Sequence, residues 1–107
     1  MARLLVKQKA ELENFYAQFR GKVDAASVQK GQADALEMLK REDLLPIIRL
    51  KLCRFVSDSY AMQQDLPHTL EYLKAAIEAA PDSTEAQYLR PWCAQLEAKL
   101  GEAQQGK

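Results

Sequence analysis

One histidine and two cysteines are too few, and too scattered, to build most metal centres. His68 has only Asp65 as an acidic neighbour close in sequence, and Cys53 and Cys93 lack metal-ligand spacing. There is no glycine-rich phosphate loop, no H-E-x-x-H and no paired-cysteine motif. No apolar run approaches the length of a transmembrane helix. The opening MARLLVKQKAELEN meets acidic residues too soon for a secretory signal. These absences set the expectations: no enzyme, no cofactor, no metal, no catalytic residue, no membrane insertion and a cytoplasmic location. Cys53 falls mid-helix on an apolar stretch, where a thiol packs as a small hydrophobe and lacks the base a nucleophile needs. His68, in the first turn of a helix, reads as exposed or capping.

What the chain does contain is helix-forming sequence. It has 107 residues, 48% of them hydrophobic and 28% charged, enough for one small core and too apolar for disorder. Formal net charge is zero, yet it is unevenly spread. Residues 1–54 hold eleven basic and seven acidic side chains, and residues 55–107 hold four and eight. Such asymmetry orients partners or is simply two solvated faces. Lys40, Arg41, Arg49, Lys51 and Arg54 cluster, but a neutral domain without interleaved aromatic platforms is a poor nucleic-acid binder.

In chain order, Leu5, Leu12, Phe15, Tyr16, Phe19 and Val23 form a helical stripe over residues 2–23. Asp24 then caps a second helix over 25–41, striped by Val28, Ala35, Leu36 and Leu39, and Gly31 weakens it enough that a loop followed by a shorter helix is the alternative. Asp43-Leu44-Leu45-Pro46 starts a third helix, because proline suits a first helical turn. That helix runs to about Met62, is apolar over most of its circumference, and is expected to be central. Gln63-Gln64-Asp65 breaks the chain. Asp65-Leu66-Pro67 starts a fourth helix with Leu70, Leu73, Ala76, Ile77 and Ala80 on one face. Pro81 ends it, and Asp82 with Glu85 resembles a capping box. The last helix, 84–100, is striped by Tyr88, Leu89, Trp92, Leu96 and Leu100. Pro91 predicts a kink or restart, Gly101 a C-cap, and residues 102–107 a flexible tail. No segment alternates at strand period. The expectation is one all-α domain over 1–101, with four to five antiparallel helices.

The 50–83 hairpin resembles a tetratricopeptide repeat. With Leu50 as the first position, the family's large apolar position falls on Val56, its small one on Ser57 and its aromatic on Tyr60. In the second helix, Thr69, Leu73, Ala76 and the closing Pro81 follow without gaps. Cys53 stands where a large aromatic is usual, and Thr69 where alanine is. A further repeat opens at Glu85 and fails at Arg90-Pro91, and residues 16–49 do not match in register. The resemblance thus covers one repeat, about a third of the chain. It implies TPR-like hairpins and a non-catalytic protein-binding module: an adaptor, a small chaperone or a subunit of a larger assembly. Its partner would be a peptide or helix of another protein, held on a concave surface lined by first helices. Lys51, Arg54, Asp58 and Met62 are the implied partner-binding residues, with Ala61 beside them. A clamp for a C-terminal carboxylate is not expected, since Asn14 is the single asparagine. The runner-up resemblance is to the tubulin-binding cofactor A family of compact helical-bundle chaperones. It rests on a Lys/Glu-rich first helix with Tyr16 and a later helix at Pro46, in a chain less charged than that family. A homo-oligomer stays open.

Overall fold

The computed structural model describes residues 2–105. The chain is all-helical: α1 (Ala2–Phe19), α2 (Ala25–Met38), α3 (Pro46–Met62), α4 (Leu66–Ala79) and α5 (Thr84–Gln105), with no strand among the described residues.

The helix starts follow local chemistry. Asp24 accepts from the Ser27 backbone N–H at 3.0 Å and from its hydroxyl at 2.8 Å. Asp65 accepts from the His68 N–H at 3.2 Å, and Pro46 and Pro67 sit in first turns. The helix ends differ more from expectation. α1 stops at Phe19, because Gly21 turns the chain through φ +76° and the Lys22 N–H closes on the Phe19 carbonyl. Val23 is therefore exposed linker, not stripe. α2 stops at Met38, and the Arg49 guanidinium on α3 donates to the carbonyls of Leu39 and Arg41 at 3.0 and 2.6 Å. Those donors satisfy carbonyls that a longer helix would have used.

Asp43 does not cap α3. It pairs with Arg41, which also reaches Glu11. The Leu45 N–H instead donates to Gln8 Oε1 at 2.8 Å, while Gln8 Nε2 donates to the Asp43 carbonyl at 2.7 Å. Gln8, on α1, is only 1% exposed. Likewise α5 is capped by Ser83, whose hydroxyl oxygen accepts from the Ala86 N–H at 3.1 Å, not by Asp82. α5 passes through Pro91 without a restart and continues past Gly101 to Gln105. Most of the expected tail is thus helix, and residues 106–107 lie outside the described residues.

α3 is the central helix, as its all-round apolar sequence implies. Ile48, Leu52 and Val56 face a first core with Leu12, Phe15, Ala35 and Leu44. Leu50 and Cys53 face a second core with Leu73, Ala76, Ala86, Leu89 and Cys93. Phe55 adds to the first core an aromatic cluster with Phe15, Tyr16 and Phe19, its ring centroid 4.8 Å from that of Phe15. The aromatic stripe of α1 is spent on the domain's own core. The Phe55 ring lies where a side chain at Gly31 would go, 3.0 Å from an ideal Cβ. A side chain at Gly31 would therefore press on the Phe55 ring between α2 and α3.

In the α3–α4 hairpin the small residues Ser57, Thr69 and Ala76 are buried between the helices. The Ser57 hydroxyl donates to the Thr69 carbonyl at 2.8 Å. The three-residue turn, with Gln64 at φ 62°, makes the two helices antiparallel. The extents are 51 × 34 × 22 Å, and the 14.6 Å radius of gyration exceeds the ~13 Å of a compact chain this long. Two small cores sharing one helix account for the elongation.

A candidate interaction groove along α3

The α3 surface between the two cores carries Lys51, Arg54 and Asp58, at spacings of three and four that align on one helix face. α1 flanks this strip with Tyr16 and α5 flanks it with Glu85, enclosing a cavity of about 420 Å³. Arg54 and Glu85 also line a smaller recess of about 190 Å³ with Tyr88 and Trp92. Beyond Asp58 lies a third cavity of about 540 Å³, a wedge between the α3–α4 hairpin and the second half of α5. Ala61, Leu73 and Leu96 give it apolar walls, and Trp92 stands at its edge with the smaller recess. Helices α1, α3 and α5 therefore contribute to one track of linked cavities.

Of the four residues expected to contact a partner, the track brings together Lys51, Arg54 and Asp58. Met62 is exposed but sits at the end of α3 and lines none of these cavities. Ala61 lines the wedge. The sequence pattern missed Tyr16, Glu85, Tyr88 and Trp92. Of the expected α5 stripe, Leu89 is buried, but Tyr88 and Trp92 are 74% and 56% exposed. Ala86 and Cys93 complete the buried face with Leu89. The α4 surface of Leu73 and Ala76 accepts small side chains, so the larger rings turn outward.

The track carries charges of both signs that are not locked in close ion pairs among the described residues. Among the described residues the ion pairs lie elsewhere, and none takes up Lys51, Arg54, Asp58 or Glu85. Asp58 keeps solvent contact, but the surrounding walls desolvate its carboxyl and raise its pKa, an effect Arg54 only partly offsets. Burial likewise pushes the Tyr16 phenol up to about 12, against the pull of Arg54. The Tyr16 hydroxyl is 3.5 Å from the Lys51 carbonyl, the outer limit of a hydrogen bond.

The remaining reactive side chains are otherwise engaged. Cys53 and Cys93 are free and buried in the second core, and burial raises both thiol pKa values. A thiol held protonated is a weak nucleophile. His68 is exposed, stacks on Tyr60 at 4.8 Å and places Nδ1 2.7 Å from Asp65 Oδ2, beside the start of α4. No group of three or more His, Cys, Asp or Glu side chains among the described residues could hold a metal ion. No helix among them is long and apolar enough to cross a membrane. The track presents charges of both signs, exposed aromatic faces and an apolar recess. No family model, curated protein or solved structure matches this chain.

Proposed function

We propose that this protein is a non-catalytic protein-interaction module of TPR-like type, acting as an adaptor, a small chaperone or a subunit of a larger assembly. One observation carries the reading: α1, α3 and α5 line a single track whose Lys51, Arg54, Asp58 and Glu85 form no ion pair among the described residues. First helices lining a shared surface are the arrangement the family resemblance implies. Buried Ser57, Thr69 and Ala76, at the family's small positions or in their place, support it further. The alternative, a compact bundle like the tubulin-binding cofactor A family, fits the elongated shape and divided core less well. Unpaired Cys53 and Cys93 accord with a reducing, cytoplasmic setting.

The groove binds a peptide or helix of another protein, and Lys51 and Arg54 donate to its carboxylates. Affinity capture with wild type beside Arg54→Glu, each checked by circular dichroism, tests this. A partner held by wild type and lost with a folded Arg54→Glu supports the groove. Identical capture by both proteins moves the binding surface elsewhere.

A further inference from the structure

The proposed interaction module leaves open what the 540 Å³ wedge selects. We propose that the wedge seats a partner segment carrying a lysine or arginine next to a large apolar side chain. The cation meets Asp58 and the Trp92 ring, and the apolar group lies against Ala61, Leu73 and Leu96. This rests on the interaction reading above and adds the chemistry of the ligand.

Volume comes first. The wedge falls within the roughly 300–1,000 Å³ of typical ligand clefts, and it exposes more apolar than polar surface although six of its eleven lining residues are polar or charged. Charge comes next. Lys99 and Glu102, three residues apart on α5, also line the wedge and are of opposite sign. That leaves Asp58 as the charge that gives the wedge its sign, since Arg54 shares the 420 Å³ cavity with Asp58 and offsets it in part but does not line the wedge. Asp58 has no ion-pair partner among the described residues, and its desolvated carboxyl favours any cation brought against it. Trp92, half-exposed at the wedge edge, is the best side chain for holding a cation on a ring face.

The size of the wedge limits its occupant, since about 540 Å³ takes one or two large side chains. A short segment anchored by one or two residues fits the space available.

The test pans a phage-displayed random-peptide library on the full chain. Selected peptides are synthesised and titrated calorimetrically into wild type, Asp58→Asn, Trp92→Ala and Arg54→Glu. Trp92 and Asp58 are at the surface, and circular dichroism verifies each variant's fold. The expected result is recurrent Lys or Arg adjacent to a large apolar residue, with binding weakened about tenfold by Asp58→Asn and by Trp92→Ala. Peptides without that pair, or binding both variants as wild type, overturn the inference. If such peptides still lose affinity with Arg54→Glu, the groove reading survives alone. A library that yields no peptide overturns both.

Discussion

Gln8 is the sharpest place to test how this fold is held. Its amide bridges α1 to the start of α3, donating to the Asp43 carbonyl at 2.7 Å and accepting from the Leu45 N–H at 2.8 Å. Gln8→Glu keeps the shape and the acceptor, but an ionised carboxylate puts an oxygen where the donor was. The lost hydrogen bond alone costs about 1 kcal/mol. Setting an acceptor against an acceptor adds to that, while the nearby N-terminus of α3 returns about 0.3–1 kcal/mol to an anion. The cost also has a ceiling, because the introduced carboxyl can take up a proton and donate as the amide did. Holding that proton from ~4.3 to about pH 7, at ~1.36 kcal/mol per unit, costs about 3.7 kcal/mol. The expected loss near neutral pH is therefore about 2–3.5 kcal/mol, a large share of the ~5–15 kcal/mol that stabilises a domain. The pH dependence distinguishes this mechanism from general damage. The introduced carboxyl has a higher pKa in the folded state than in the unfolded one, so the folded state binds more protons in between. Stability of the variant then falls as pH rises through that window, and recovers on acidification. Urea unfolding of wild type and variant near pH 7 and near pH 4.5 measures the difference at each pH. A neutral-pH loss below about 0.5 kcal/mol, or one that does not shrink in acid, refutes the Gln8 bridge.

Gly31→Ala sets about 1 kcal/mol of helix propensity against about 1–3 kcal/mol of overpacking on the Phe55 ring, which Phe15 backs. Thermal unfolding should show a net loss of about 1 kcal/mol, and a raised Tm would mean the aromatic cluster yields freely. Tyr16 keeps its proton in the folded state up to about 12, against 10.0 for an unperturbed tyrosine, so the folded state binds more protons between the two. Stability therefore falls as pH rises through that interval, and Tyr16→Phe should flatten the slope; equal slopes sink the burial argument. The Asp58 carboxyl, with its raised folded pKa, binds protons more tightly folded than unfolded, so ionising it with rising pH lowers stability. Asp58→Asn should consequently be more stable than wild type near neutral pH, and a less stable variant would show that Arg54 outweighs the desolvation.

Residues whose structural role is settled within one turn of helix were legible in the sequence. Asp24 and Asp65 cap their helices because the backbone N–H groups they satisfy lie three residues ahead. Pro46 and Pro67 start helices for an equally local reason. The stripes of α1 and α4, the central place of α3, and the common face of Lys51, Arg54 and Asp58 follow from helical period alone.

Residues whose partners lie far along the chain were not legible. Gln8 is buried for an N–H that lies 37 residues away, and Gly31 faces a ring on another helix. The decisive case is α5. Tyr88 and Trp92 on one side, and Ala86, Leu89 and Cys93 on the other, are both acceptable helical stripes. Size favours the aromatics as the buried face, and nothing local in α5 opposes that choice. Packing against Leu73 and Ala76 on α4, with Leu50 and Cys53 on α3, buries the smaller face instead. That choice turned Trp92 out onto the groove and created the candidate site. Helical period determines which residues share a face of α5, but only the neighbouring helices decide which face meets water.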